Sequence, residues 1–199
     1  MVGRLDTRAI GRGAIREELA RGAFPRFCED GFDQVTLEEL AAGAGVSRST
    51  FLRYFGSKEE VVLFVFDPLG EAIAEQVRAG GGDDWGGLRR AVEPVVASLG
   101  RDPSEGLTLL GLVARTPALL ARLREKQSGW QALLTEELRT RPEAGRESEL
   151  AIGARVAAAL ECLVTALLYW VDRDGATGLG AVVDEAFAAV RPLAPATDG

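Results

Sequence analysis

Residues 36–60, TLEELAAGAGVSRSTFLRYFGSKEE, decide the fold, because they contain several helix starts and one tight turn in a short stretch. Two hydroxyl residues stand three positions before a glutamate, which is the spacing of a capping box: Thr36 with Glu39 and Ser57 with Glu60. In a capping box, the hydroxyl and the carboxylate satisfy unpaired amides at a helix start. Ser47 is a third N-cap candidate, because serine is favoured at that position. The stretch therefore predicts three short helices in succession.

The turn between the first two of these helices has a recognisable pattern. Small and apolar residues recur at helical spacing before it: Leu37, Leu40, Ala41 and Ala44. Gly45 then ends the helix, because glycine accepts the left-handed conformation that other residues resist. Val46 anchors the turn, and Phe51 and Phe55, four residues apart, are predicted to bury against Leu40 and Val46. The pattern predicts a helix-turn-helix whose second helix is exposed and narrow enough for the major groove of DNA.

Residues 6–62 resemble the DNA-binding domain of the TetR family of bacterial transcriptional regulators. The most specific piece is residues 45–59, GVSRSTFLRYFGSKE, which follows a Gly31-Phe32 link and the pattern Thr36-x-x-x-Leu40-Ala41. The resemblance implies an all-α fold of about nine helices. It also implies an N-terminal three-helix, helix-turn-helix DNA-binding domain in residues 1–58, with a basic arm, and a C-terminal helical effector-binding and dimerisation domain in residues 59–199.

The resemblance also implies a set of DNA-contacting residues. They are Thr36, Ser47, Arg48, Ser49, Thr50, Leu52, Arg53, Tyr54 and Lys58. Arg48 would reach a base edge, because a guanidinium can bond both acceptors of guanine. Thr50, Tyr54 and Lys58 would bind backbone phosphates. Thr36 could contact a phosphate as well as cap its helix. The alternative interpretation is that Thr36 and Ser57 are caps only and that the arginines are merely solvated.

Three features of the N-terminal region depart from this simple picture. Leu52 stands where the family usually has a tyrosine that touches DNA, so that contact is lost or Leu52 meets a thymine methyl group. Pro25 lies inside the predicted first helix, and we expect a kink between Arg21 and Pro25. Residues 1–15 carry arginines at four-residue spacing but also three glycines. They form either a mobile basic arm for the minor groove or a solvated helix face.

Composition agrees with a cytosolic regulator rather than with an enzyme or a secreted protein. The chain has 199 residues and a formal charge of -7. Residues 1–58 hold nine Arg or Lys against eight Asp or Glu, whereas residues 59–199 carry a net charge of -8. With no histidine and two lysines, we expect no catalytic site, metal or cofactor. Cys28 and Cys162 are predicted to be reduced core residues, and no secretory signal is seen, which favours the cytoplasm.

Beyond residue 62 the pattern is helical throughout. The boundaries are set by N-caps, by first-position prolines and by the loops at residues 80–84 and 141–145. Predicted helices are Lys58 to Arg78, Trp85 to Ser98, Asp102 to Val113, Thr116 to Arg139, Ser148 to Arg173 and Leu179 to Val190.

The helix around residues 151–171 is apolar on nearly every face and long enough to span a bilayer. Because Arg155 and Glu161 would then lie in hydrocarbon, we expect no membrane contact but burial from two directions. Small residues at Gly153, Ala154, Ala157 and Ala158 permit close helix approach. The resemblance implies a homodimer built from the two C-terminal helices, whose paired recognition helices read a palindromic operator in double-stranded DNA.

A small effector, apolar or aromatic, is the last expected partner. In similar proteins the corresponding helices line the effector pocket, and the candidate residues are Thr108, Leu110, Val113, Gln127, Trp130, Leu134, Leu163, Thr165, Leu167 and Trp170. Most large apolar residues are simply core, so each is also a candidate for packing alone. Two rival functions follow: an effectorless DNA-binding or protein-interaction module, whose body would be packed solid, and a helical enzyme, which would need titratable groups converging in a cleft.

Overall fold

The structure, a computed structural model, describes residues 7–80, 85–140 and 148–190, with side chains from residue 11 onward. This part of the chain is all helix and turn, without strands. The helices are α1 (Thr7–Asp30), α2 (Leu37–Gly43), α3 (Arg48–Phe55), α4 (Lys58–Leu63), α5 (Asp67–Arg78), α6 (Trp85–Ala91), α7 (Glu93–Gly100), α8 (Pro103–Arg115), α9 (Pro117–Arg139), α10 (Glu149–Asp172) and α11 (Leu179–Ala189). We call α1–α3 the head and α5–α11 the body; α4 joins them.

Two of the predicted helices are interrupted. A 3₁₀ turn, Phe64–Phe66, separates α4 from α5, and a single turn residue, Val92, separates α6 from α7. Pro68 and Pro94 lie in the first turn after each break. A proline lacks the amide proton and clashes with the carbonyl four residues earlier, so the helix cannot pass through it undisturbed. When each interrupted pair is counted as one, the described residues contain nine helical units, as predicted.

The first helix is longer at its N-terminus than a mobile arm would allow. Residues 7–15 are the opening turns of α1, despite Gly11 and Gly13, which agrees with the helix-face alternative for this part. The rest of the predicted arm, residues 1–6, lies outside the described residues. α1 continues to Asp30 with Pro25 inside it, so proline does not end the helix.

Most of the predicted caps are present. Asp102 accepts hydrogen bonds from the amides of Ser104 and Glu105 at the start of α8. Ser148 accepts one from the amide of Ala151 at the start of α10. Thr116 is an exception, because its side chain makes no capping hydrogen bond and is buried. Pro117, whose fixed backbone angle suits the first turn, therefore supplies the start of α9.

The centre of the body is α10, which packs on α6, α8, α9 and α11. By length and hydropathy it passes as a membrane span, yet half of its most apolar window is buried inside the chain itself. Cys162 is buried on this helix as predicted, whereas Cys28 is exposed on α1, which corrects the expectation of a core residue. Cys28 falls on the outer face of α1, one position past the buried Phe27.

Candidate nucleic-acid interface

The turn between α2 and α3 is closed by backbone hydrogen bonds. The amide of Gly45 donates to the carbonyl of Ala42, and the amide of Val46 donates to the carbonyl of Ala41, both at 3.0 Å. These two bonds form a Schellman motif, which needs a left-handed residue after the helix. Gly45 supplies it with a φ of 68°. The predicted role of this glycine is therefore confirmed.

A compact aromatic core holds α3 against the rest of the head. Phe51 and Phe55 are buried with ring centroids 5.2 Å apart, and Ala41 is buried where α2 meets α3. Val46 packs against the same core, as predicted. From α1, the guanidinium of Arg12 donates to the carbonyl of Arg53 at 2.9 Å. These contacts hold α3 in place through its inner face, so its outer face belongs to a fixed helix.

Three hydroxyl groups meet at the N-terminus of α3. Ser47 accepts from the amide of Thr50 and donates its own proton to the Thr50 hydroxyl at 2.9 Å. The oxygen of Ser49 lies 3.0 Å from that of Ser47. Ser47 and Ser49 are exposed, and the start of a helix carries partial positive charge. The cluster can therefore offer hydrogen bonds to an anionic ligand such as a phosphate.

Arg48 lies beside this cluster, exposed at the first turn of α3. Its Nε atom is 2.5 Å from Oε1 of Glu38, on α2. Among the described residues, its two terminal nitrogens have no hydrogen-bonding partner, so the fork that would recognise guanine is available. Sequence reasoning missed Glu38, since no spacing rule pairs residues ten positions apart across a turn.

Lys58 occupies a more enclosed position than the sequence suggested. Its Nζ atom donates to the carbonyls of Phe32 and Val35, at 2.6 and 3.1 Å, and lies 4.3 Å from the centroid of the Phe32 ring. The ammonium therefore ties the start of α4 to the link between α1 and α2. One of its three protons remains for a phosphate.

Three other predicted DNA residues are consecutive on α3, and Thr36 is the N-cap of α2. Arg53 is exposed, with its guanidinium over the Tyr54 ring, while Leu52 and Tyr54 are half-buried. Thr36 forms the complete predicted capping box: its hydroxyl accepts from the amide of Glu39, and its own amide donates to the Glu39 carboxylate. These bonds from Thr36 hold the pKa of the Glu39 carboxyl below its usual value.

The second predicted capping box is only half formed. Ser57 accepts from the amide of Glu60, but the carboxylate of Glu60 turns away toward α9. There it accepts from Arg122 at 2.7 Å and from Lys126 at 2.8 Å. Burial raises the pKa of Glu60, yet these two hydrogen bonds outweigh it and the pKa lies below its usual value. The resulting stabilisation is present at neutral pH and is lost as the pH falls through the lowered pKa.

The predicted effector residues do not line one open space. Leu110, Val113, Leu134, Leu163, Leu167 and Trp170 are buried in the core. Thr108 and Thr165 are exposed, and the Thr108 hydroxyl donates to the carbonyl of Ser104. Gln127 lies between Arg124 and Glu161 at the surface. Trp130 is half-buried and its indole covers Gly70, where a Cβ atom would lie only 2.3 Å from the ring.

Two open grooves lie on the surface of the described part of the protein. One, of about 490 Å³, lies between the end of α3, α4 and the first turns of α9. The other, of about 750 Å³, lies between α9 and the first turns of α10. None of the ten predicted effector residues lines either groove. Within the same residues, no cluster of acidic or cysteine side chains is arranged to hold a metal ion.

The fold and this surface define an all-helical protein with an N-terminal helix-turn-helix. The family model described as bacterial regulatory proteins, tetR family, matches residues 21–65. Over this segment the chain is similar to bacterial regulatory proteins of the tetR family. The match covers the turn, α3 and the start of the connection to the body.

Curated relatives extend this match. The chain is 30% identical over 134 residues to the HTH-type transcriptional regulator TcmR of Streptomyces glaucescens, covering 63% of this chain and 59% of that protein. It is 36% identical over 77 residues to the HTH-type transcriptional regulator EthR of Mycolicibacterium smegmatis, covering 37% and 36%. The chain thus spans less than two thirds of the length of each of these relatives.

Solved structures show the same fold at lower identity. Thermus thermophilus FadR, a TetR-family repressor solved with lauroyl-CoA, has a TM-score of 0.60 at 22% identity, covering 92% of this chain and all of that chain. NalD of Pseudomonas aeruginosa, the secondary repressor of the MexAB-OprM efflux pump, has a TM-score of 0.57 at 17% identity, covering 87% and 93%. The likeness includes the body as well as the head.

Proposed function

We propose that this protein is a cytoplasmic, non-catalytic transcriptional repressor that binds a palindromic operator as a homodimer. The observation that carries the proposal is the outer surface of α3. An available guanidinium on Arg48 stands beside the hydroxyl cluster of Ser47, Ser49 and Thr50, on a helix that is fixed from behind. Base readout by an arginine together with phosphate contacts at a helix start is the usual chemistry of such a motif.

The division of roles on α3 is tested by Arg48→Ala. Sites are first selected from random DNA with the purified protein, and DNA upstream of its own gene is footprinted. We expect Arg48→Ala to cost about 1 to 3 kcal/mol on the selected site and to leave random DNA nearly unaffected. Arg101→Ala, an exposed arginine of the body, is the matched control. Equal losses on both kinds of DNA would contradict base readout by Arg48.

Dimerisation through α10 and α11 is supported by the outer face of α10. Four of its exposed residues, Leu150, Ala154, Thr165 and Tyr169, are apolar or small, although Glu149, Glu161 and Asp172 on the same helix are exposed and charged. Leu150 is 82% exposed and Tyr169 is 46% exposed. A contiguous exposed apolar surface marks a site of protein–protein contact, whereas single exposed apolar residues are normal. A second copy of α10 and α11 fits it, because a twofold axis places like faces together.

Ala154→Glu tests the dimer without disturbing the monomer, since Ala154 is exposed. A carboxylate left unpaired in a tight interface destabilises it by about 3 to 5 kcal/mol, so we expect a monomer at micromolar concentration in sedimentation equilibrium. The exposed Ala97 of α7 provides the control Ala97→Glu, which should remain dimeric. A wild-type protein that is itself monomeric would refute the proposed arrangement.

Release by a small apolar or aromatic effector is the finer part of the proposal. It is supported by the similarity to TetR-family regulators and by the position of Trp130 and Trp170 within the helical body. Thermus thermophilus FadR, which has a similar fold, was solved with an acyl-CoA. Lauroyl-CoA is therefore a reasonable first probe, with quenching of tryptophan fluorescence as the readout. An effector that prefers the DNA-free form by about 3 kcal/mol would weaken operator binding more than a hundredfold.

A second candidate, an effectorless DNA-binding module, is favoured by the packing of the body. Six of the ten candidate effector residues are buried side chains, and none of the ten lines either groove. Ligand screening by thermal shift distinguishes the two. An effector-responsive protein gains stability with a ligand and loses operator affinity, whereas the effectorless module does neither with any compound.

A further inference from the structure

A chain of ion pairs crosses the junction between head and body. Glu60 on α4 accepts from Arg122 through one oxygen and from Lys126 through the other. Lys126 also donates to Asp67 at the start of α5 at 2.7 Å, and the second oxygen of Asp67 accepts from Arg16 of α1 at 2.9 Å. We call these five residues the ionic bridge. It connects α9, α4, α5 and α1.

The central members of the ionic bridge are shielded from water. The side chain of Glu60 is 13% exposed and that of Lys126 is 16% exposed. An isolated surface ion pair contributes little, but shielded charges with several hydrogen bonds each resist separation, because breaking one pair leaves its partner uncompensated. Arg122 is additionally paired with Glu125 on its own helix. Lys126 contacts both carboxylates of the bridge, Glu60 and Asp67.

The ionic bridge also reaches the recognition helix. The guanidinium carbon of Arg16 lies 5.4 Å from the ring centroid of Phe55 and 5.8 Å from that of Phe64. Phe55 is the last residue of α3, and its ring meets Phe64 edge-on. Arg16 therefore joins the ionic bridge to the aromatic rings that hold the end of α3 against α4 and α5.

Other ion pairs join helices within the body alone. Arg78 on α5 pairs with Glu137 on α9, and Arg89 on α6 pairs with Asp184 on α11. These contacts stabilise the body but do not touch the head. They separate a general loss of stability from a specific effect on the junction.

We infer that the ionic bridge fixes the angle of the head on the body, and that Lys126 is the positioning residue that sets the separation of the two recognition helices in a dimer. The inference rests on the proposed function for its consequence on DNA. Each head by itself is unchanged when the bridge is broken, so binding to a single half-site is retained. Binding to the full palindrome is weakened, because the DNA must then hold two mobile heads at one spacing, and this lowers their conformational entropy.

The angle can be measured without DNA. Cys28 is exposed on the head and Cys162 is buried, so a spin label on Cys28 reports the distance between the two heads of a dimer. We expect Lys126→Met to broaden this distance distribution and Arg78→Met, which alters α5 to α9 contact within the body, to leave it as in the wild type. An unchanged distribution in a folded Lys126→Met variant would overturn the inference. Glu60→Gln is the second variant and should broaden the distribution in the same way.

The consequence for DNA is tested on a half-site, on the selected palindrome, and on palindromes with one or two base pairs added or removed. We expect Lys126→Met to lose about tenfold in affinity for the palindrome, within the usual range for coupling between sites, and to discriminate less between spacings. Half-site affinity should stay the same. Retention of the wild-type spacing preference would also overturn the inference. Failure of the wild type to select a palindrome would instead count against the proposed function, because the distance measurement needs no DNA.

Discussion

The head and the body of this protein are built on different physical principles. Besides the 24-residue α1, the head uses two short helices, α2 (Leu37–Gly43) and α3 (Arg48–Phe55), whose ends are fixed by side-chain caps and one glycine. The body uses longer helices, α9 and α10, whose ends matter less than the faces they bury. A short helix depends on its caps because few internal hydrogen bonds remain to it. The head is therefore specified by local signals, and the body by packing.

The two regions also differ in charge. Residues 1–58 carry a net charge of +1 and residues 59–199 a net charge of -8. The acidic body would repel DNA, which keeps the duplex on the head. The same acidity supplies Glu60 and Asp67, which accept from basic residues of α1 and α9 at the junction. The charge contrast thus serves attachment of the head, and under the proposed function it would also orient the protein on DNA.

The largest effect should come from Phe51→Ala, which removes a fully buried ring from the head. Such a truncation costs about 3 to 5 kcal/mol. All three tryptophans, Trp85, Trp130 and Trp170, lie in the body, so their fluorescence reports its unfolding alone. We expect circular dichroism to show an early transition that tryptophan fluorescence does not follow.

Leu163→Ala, a truncation of similar burial in the body, is the control for Phe51→Ala and should shift the fluorescence transition. If both variants shift both signals equally, the two regions unfold as one cooperative unit and the contrast between them is structural only.

Lys58→Met should have the next largest effect, because it leaves the carbonyls of Phe32 and Val35 without their donor. Hydrogen bonds from a charged group contribute about 1.5 to 3 kcal/mol. We expect the head to melt earlier and the body to be unaffected, as measured by the same two signals. Arg53→Met, an exposed cation of the same region, should leave the melting temperature in place. No loss of stability with a loss of DNA affinity would instead assign Lys58 to phosphate binding alone.

Leu52→Tyr sharpens the comparison on the DNA side. A phenol that bonds a phosphate adds roughly 1.5 kcal/mol before the cost of ordering the ring is subtracted. We expect binding to tighten several-fold on operator and random DNA alike, because phosphate contacts carry no direct sequence information. Titrations at several salt concentrations check this. A selective loss on the operator would show that Leu52 reads a thymine methyl group.

The smallest effects should come from a matched pair of caps, Thr36→Ala in the head and Ser148→Ala in the body. Each removes one side-chain acceptor at a helix start and costs about 1 kcal/mol. We expect Thr36→Ala to lower the melting temperature of the head by more, because α2 has 7 residues and α10 has 24. Equal shifts from the two variants would show that α2 depends on its caps no more than α10 does.

The sequence predicted the head well because its signals are short-range. The capping box of Thr36 and Glu39, the glycine turn at Gly45 and the spacing of Phe51 and Phe55 all act within ten residues. Long-range partners were not visible. The sequence assigned Glu60 to a capping box at its own helix start. Its carboxylate instead accepts hydrogen bonds from Arg122 and Lys126 on α9, more than sixty residues away. A carboxylate has several donors within reach, and only the folded chain shows which of them it meets.

The sequence by itself determined the helices, most of their boundaries, the helix-turn-helix and the resemblance to a family, because caps, prolines, glycines and apolar spacing act locally. Only the tertiary structure decided that Lys58 binds two carbonyls of the link, that Cys28 is exposed, and that the candidate effector residues are mostly packed in the core. It also decided which charges join α1, α4, α5 and α9. These outcomes depend on contacts between residues far apart in the chain, and no local pattern encodes the distance between such residues.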